Sequence, residues 1–201
     1  EYTPGPLAKT LADEMPEVEY VASVIPPYWF SDKGIIVAGD KRIKVGPQFV
    51  SKDFFNVFTC PILEGNKDQL LNDKPAILLS RSMAMRLFGS TDVVGQAVQW
   101  SHGRDMSGEY FISGIFEDVP DASSLRFDIL FNYELFLEKR PSLQYWANSD
   151  PCTYLVLKEG ADINSFNGKI KDLKRQKTQN REEGTLVAQL YSSKYLYGHY
   201  Q

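Results

Sequence analysis

Apolar positions recur at two periods along the chain, and the switches between them predict the elements. Leu7, Leu11 and Met15 share one helical face behind Pro4 and Pro6. Pro16 stops that helix, because proline lacks an amide donor and crowds the preceding turn. Val18 to Ile25 is β-branched and aromatic, ends at Pro26-Pro27 and reads as a strand. Ile35-Ile36-Val37 and Ile43-Lys44-Val45 flank Ala38-Gly39-Asp40-Lys41, which predicts a hairpin whose glycine supplies a positive φ. Ser51 is placed to cap a short helix that buries Phe54, Phe55, Val57 and Phe58, with Asp53 in its first turn. Ala76 to Leu79 predicts a buried strand. It runs into Ser80, a second N-cap, and a helix carrying Met83, Leu87 and Phe88 that stops at Gly89. Val98 to Trp100, Tyr110 to Phe116, Arg126 to Phe131 and Thr153 to Leu157 read as further strands. Asp162 caps a longer helix with Ile163, Phe166, Ile170 and Leu173 on one face, and Leu186 to Leu190 reads as a final strand. Strands and helices alternate without a regular βαβ repeat, an order that predicts an α+β fold and leaves room for two lobes.

Composition narrows the class. A chain of 201 residues that is 43% hydrophobic and 24% charged is globular, neither disordered nor collagen-like. Its length allows one large domain or two small ones. A net charge of -4 argues against nucleic acid as a partner, since phosphate neutralisation calls for a basic surface. Apolar runs all fall well short of the roughly 18 residues of a membrane span. The chain opens at Glu1 and closes in the aromatic run Tyr195-Leu196-Tyr197-Gly198-His199-Tyr200-Gln201. These ends read as those of a piece of something longer, and a processed mature protein fits the absent initial Met equally well.

Candidate chemistry is sparse. The sequence carries no phosphate-cradling G-x-x-x-x-G-K-[ST] or G-x-G-x-x-G, no G-x-S-x-G elbow and no H-E-x-x-H. His102 with Asp105 and Glu109 makes a weak metal set, which reads better as a solvent-facing loop. Glu117, Asp118 and Asp121 invite a paired-carboxylate reading, but Val119-Pro120 interrupts them and the plainer account is a strand end before a turn. Cys60 precedes Pro61 in an apolar stretch and Cys152 follows Pro151; both read as small buried hydrophobes, and sequence leaves open whether they pair. Lys169, Lys171, Lys174, Arg175, Lys177 and Arg181 read first as the solvated face of a helix, with an anionic surface as the sharper alternative. Tyr28, Trp29 and Trp146 are candidates for a partner or glycan surface. No catalytic, cofactor or metal residues are assigned.

One ordered set of motifs goes further. Val50-Ser51-Lys52-Asp53-Phe54-Phe55-Asn56-Val57-Phe58 leads to Pro61-Ile62-Leu63-Glu64-Gly65. Ala76-Ile77-Leu78-Leu79-Ser80, Ala84-Met85-Arg86-Leu87-Phe88-Gly89 and Asp92-Val93-Val94-Gly95-Gln96 follow. Ile112-Ser113-Gly114-Ile115-Phe116-Glu117-Asp118-Val119-Pro120 and Ser123-Ser124-Leu125-Arg126-Phe127-Asp128 close the set. This order resembles the extracytoplasmic core domain of MacB/FtsX-type ABC transporter permeases. Much of the signature is explained by folding alone: Phe54, Phe55 and Phe58 bury apolar area, Ser51 and Ser80 cap helices, and Gly65, Gly89 and Gly95 serve turns or helix ends. Leu87, Phe88, Gly114, Asp118, Pro120 and Phe127 complete the signature positions.

The resemblance implies a two-lobed domain. A mixed α/β lobe near the membrane, at about 1–50 and 125–201, would carry an inserted, smaller strand-rich lobe at about 51–124. It implies a place outside the cytoplasmic membrane, between flanking membrane helices that lie beyond this sequence. It implies a cytoplasmic ABC ATPase, a second permease copy and an envelope adaptor or lipoprotein as partners. The domain itself would be non-catalytic, transmitting ATP-driven movement for export of peptides, drugs or lipoproteins or for envelope signalling.

Overall fold

The structure is a computed structural model that describes residues 2–103, 106–120, 123, 125–180 and 184–192. A ten-stranded mixed sheet organises it. The strands are β1 (Val18–Ile25), β2 (Gly34–Ala38), β3 (Lys41–Val45), β4 (Gln48–Val50), β5 (Ile62–Glu64), β6 (Ala76–Ser80), β7 (Ala97–Ser101), β8 (Gly108–Phe116), β9 (Ile129–Asn132) and β10 (Cys152–Leu157). Their spatial order is β10-β1-β4-β9-β6-β8-β7-β2-β3, and β5 pairs with β8 off that path. The β4–β9 and β6–β8 pairs are parallel and the other pairs antiparallel. The expected α+β architecture is therefore the observed one. Of the four strands in residues 51–124, β6, β8 and β7 lie side by side with β5 paired to β8, and flanking strands β9 and β2 hydrogen-bond to them on either side.

Among the described residues six helices pack on the sheet: α1 (Leu7–Glu14), α2 (Phe54–Val57), α3 (Arg81–Phe88), α4 (Tyr133–Lys139), α5 (Ile163–Ile170) and α6 (Leu173–Thr178). Alternation along the central strands divides the core between the two faces. Ile77 and Leu79 of β6, with Ile129 and Phe131 of β9, join Met83 and Leu87 of α3 and Phe136 of α4 in one cluster. Leu78 and Leu130, the residues between them, join Val24, Val50, Phe116 and Phe54 of α2 in a second. A third cluster at the β10 end holds Leu7 and Leu11 of α1, Val21, and Phe166, Ile170 and Leu173.

Several elements depart from the sequence reading. Strand β9 begins at Ile129, three residues beyond the expected Arg126, and the Ser80 N–H donates to Asp128 O at 2.9 Å at its edge. The helix after Asp162 is two helices, broken at Lys171 and Asp172. Residues 186–190 form no strand. Both hydrogen bonds of the Ala188 peptide edge go to the Asn167 amide: Asn167 Nδ2 donates to Ala188 O at 3.0 Å, and Ala188 N–H donates to Asn167 Oδ1 at 2.7 Å. The side chain has taken the place of a neighbouring strand. This strap sets Leu186 and Ala188 on the third cluster and carries Tyr191 round the edge strand β10 to Tyr154 and Phe58, on the second cluster's side.

Candidate functional site

Residues of the signature meet at the N-terminus of α3. The free amides of a helix's first turn want acceptors. Ser80 Oγ accepts from Met83 N–H at 3.1 Å and donates to Asp128 Oδ1 at 2.9 Å. Asp118, two residues past the end of β8, accepts from Ser82 N–H at 2.9 Å and from Ser82 Oγ at 2.7 Å. Two of the helix's orphan donors are so satisfied by residues 38 positions apart in the chain. Gly89 closes the same helix at φ 72°, as its sequence position suggested. Ser51 behaves differently from the expectation. Asp53 occupies the N-cap position of α2 and makes no side-chain cap bond. The Ser51 hydroxyl instead accepts the Ser23 backbone N–H at 3.0 Å, tying β1 to the end of β4.

Helix α2 buries Phe54, whose ring meets Phe55, Phe58 and Phe127 at centroid distances of 5.3, 4.9 and 5.7 Å. Beside this cluster the segments 58–61 and 117–120, with Ser123, Leu125 and Phe127, line a groove of about 360 Å³, with Tyr191 of the strap as a further wall. Glu117 and Asp118 give it a carboxylate side. Glu117 bridges to Arg81 at 2.8 Å, and its backbone N–H donates to Pro61 O at 2.9 Å. Burial first, and the Glu117 charge second, push the Cys60 thiol up to about 11, so Cys60 stays protonated and adds to the apolar wall. The strand β5 reaches β8 closely because Gly65 and Gly114 face one another without side chains between them.

Burial tends to raise the Asp118 carboxyl, but the two hydrogen bonds from Ser82 and the nearby Arg81 outweigh it and hold it below the usual aspartate value of 3.8. Stability contributed by Asp118 is therefore present above about pH 4 and lost as pH falls through its depressed folded value. Asp118→Asn should cost about 1 kcal/mol at pH 7, the size of a lost N-terminal helix cap. Urea unfolding of both proteins from pH 7 to pH 2 should show the gap closing in acid; a gap that is constant with pH would exclude the carboxylate's role.

The other candidates are spread through the fold. His102 Nε2 lies 3.0 Å from Asp32 O, and its ring stacks on Trp100 and meets Phe30 edge-on. Glu109 accepts from Gln99 at 3.0 Å, and Asp105 lies outside the described residues, as does Asp121. Among the described residues no three His, Cys, Asp or Glu side chains converge on a common point. Cys60 and Cys152 are both free thiols. Of the basic run, Lys169 pairs with Glu17, Lys177 with Glu14 and Arg175 with Asp172 at 2.9 Å, while Arg181 is outside the described residues. Tyr28 is exposed, with its hydroxyl 3.9 Å from Cys152 Sγ. Trp29 packs edge-on against Phe30 and Phe136 in the first cluster, and Trp146 lies against the third. The three aromatics thus sit on different parts of the molecule. Sequence reasoning missed the groove as a site, although most of its lining falls within the signature.

Comparison with known proteins decides the family. The MacB-like periplasmic core domain matches residues 1–173. The chain belongs to this family. Three solved structures share the fold of this MacB-like domain. A domain of a putative permease protein from Porphyromonas gingivalis has a TM-score of 0.75 at 22% identity, covering 96% of this chain and 89% of that one. The periplasmic region of MacB from Actinobacillus actinomycetemcomitans has a TM-score of 0.61 at 15% identity, covering 87% and 73%. The extracellular domain of the noncanonic ABC-type transporter YknZ from Gram-positive bacteria has a TM-score of 0.59 at 13% identity, covering 93% and 97%. At these identities the likeness is one of fold. No curated protein sequence matches the chain. Among the described residues of this MacB-like domain, no helix is long and apolar enough to cross a membrane.

Proposed function

We propose that this MacB-like domain stands outside the cytoplasmic membrane as part of an ABC transporter permease and transmits ATP-driven movement rather than performing chemistry. The family match over residues 1–173 carries the reading. A cytoplasmic ATPase would supply the movement, a second permease copy would face this one, and the movement would serve export or signalling to an envelope partner. Edge strand β10 is the element that would receive it. Near the start of the chain, Thr3 N–H donates to Pro151 O at 2.7 Å and the Thr3 and Thr153 hydroxyls meet at 2.6 Å. Near the end, Tyr191 rests on Tyr154 with ring centroids 5.7 Å apart. Displacement of either segment therefore acts on one strand, which is joined to the rest of the sheet through six paired positions of β1.

The test uses the full-length permease with its ATPase in a lipid disc. Cys60 and Cys152 are replaced, and Lys41, exposed on the β2–β3 turn, is changed to Cys and spin-labelled. The distance distribution between the two copies should differ between nucleotide-free and ATP-bound states. Identical distributions in every nucleotide state, or no dipolar interaction between copies, would overturn the proposal.

A further inference from the structure

The groove beside α2 has a shape and a charge that select a ligand class. Its volume of about 360 Å³ lies within the roughly 300–1,000 Å³ of small-molecule sites. Aromatic and aliphatic side chains make most of the wall: Phe54, Phe58, Phe127, Val119, Leu125 and Tyr191. The polar side is one-signed. Glu117 and Asp118 line it, and the described lining contains no Lys or Arg. Arg81 is the cation paired with Glu117, so the two lining carboxylates share one guanidinium and these three groups together are net negative. Asp118 accepts hydrogen bonds from Ser82 and feels the Arg81 charge, but among the described residues it makes no ion pair of its own. Cys60 is held neutral, and the Glu117 charge is felt at its sulfur, so the negative field reaches into the groove. Aromatic faces next to carboxylates are the surroundings that desolvated organic cations prefer over anions of equal size.

We propose that this groove binds small amphipathic cations, with a compact apolar body against the Phe58 and Phe127 side and the positive centre toward Glu117 and Asp118. Binding of this kind reaches the strap. Tyr191 is both a wall of the groove and a residue of the 184–192 segment, with its ring 6.1 Å from that of Phe58. Occupancy therefore fixes the position of Tyr191, and displacement of the strap removes one wall. The proposal stands on the groove alone and is independent of the permease reading.

Two ions of the same shape and opposite charge test it. Tetraphenylphosphonium and tetraphenylborate are titrated into the 201-residue chain and followed by amide chemical shifts and calorimetry. Tetraphenylphosphonium should saturate, with the largest shifts at residues 58–61, 117–120 and 191. Tetraphenylborate should bind at least about tenfold more weakly, because the charge interaction changes sign. Glu117→Gln, a half-exposed change that keeps the side chain's shape, should weaken the phosphonium about three- to tenfold, as expected for one unit charge a few ångströms away in a partly wet site. Tyr191→Ala, an exposed position, should weaken both ions alike. Equal affinity for the two ions would overturn the proposal. So would shifts centred on another surface, no saturable binding up to millimolar concentration, or a Glu117→Gln protein that binds the phosphonium unchanged.

Discussion

Phe54→Ala should lower the unfolding free energy by about 3–5 kcal/mol, the cost of removing a fully buried aromatic ring and leaving a cavity. Phe54 is 1% exposed and stands at the centre of the second core cluster. Its ring meets three others within 6 Å, so few side chains around it are free to collapse into the space. Helix α2 is one turn long and has no side-chain cap, which leaves burial of this ring as its main anchor. Urea unfolding should show a lower midpoint at nearly unchanged slope, and thermal unfolding a drop of about 10 °C. Phe55→Ala, at a partly exposed position, should cost less than half as much. A Phe54→Ala cost below about 1 kcal/mol would mean that α2 is not docked in solution. Because Phe54 and Phe58 also wall the groove, undocking would remove cation binding as well.

What sequence could show was set by how local the cause was. Strand β1 was legible from Val18 to Ile25 because β-branched residues and two prolines state both its body and its end. The β2–β3 hairpin was legible because the turn uses Gly39 at φ 57°. Ser80 and Gly89 were legible as caps because their partners lie within a turn of the helix. Ser51 was misread for the same reason in reverse. Its position before Asp53-Phe54-Phe55 suits a cap, but its hydroxyl is claimed by Ser23, 28 residues earlier. Strand β4 has three residues and gains its place from parallel pairing with β9, which no period in three residues can announce. Helix α4 is capped by Asn132, the last residue of β9, whose Oδ1 accepts from Glu134 and Leu135 while its amide donates to Leu71 O. That double use is visible only once the strand is placed. The strap at 186–190 has the composition of a strand, and its missing ladder is a consequence of Asn167 being there first. The groove was invisible because four separated segments build it. The signature residues Phe54, Phe58, Asp118, Pro120 and Phe127 that line it each had a sufficient reason in folding.

Gly65→Ala should cost about 3 kcal/mol, more than its surface position suggests. Two terms add. Gly65 has φ 105°, a conformation that costs a residue with a Cβ about 1–2 kcal/mol. A Cβ there would also lie 2.5 Å from Ser113 O and 2.9 Å from Gly114 Cα, both backbone atoms that cannot swing aside, and overpacking of this kind costs about 1–3 kcal/mol. Gly114→Ala isolates the second term. Its Cβ would meet Leu70 Cδ2 at 2.6 Å and Glu64 O at 3.0 Å; the leucine can rotate, and the cost should fall to about 1–2 kcal/mol. Gly39→Ala isolates the first: φ is 57° with open space around the Cβ, and about 1 kcal/mol is expected. Urea midpoints should therefore rank Gly65→Ala as the most damaging of the three. If Gly65→Ala were as mild as Gly39→Ala, the close approach of β5 to β8 would not exist in solution. The approach also bears on the groove. The Glu117 N–H bonds to Pro61 O just past the β5–β8 pairing, so pushing β5 outward moves the Cys60–Pro61 wall away from the carboxylates. Gly65→Ala should then weaken tetraphenylphosphonium binding even under conditions where the variant is fully folded. Gly39→Ala, at the far edge of the sheet, should leave that affinity unchanged.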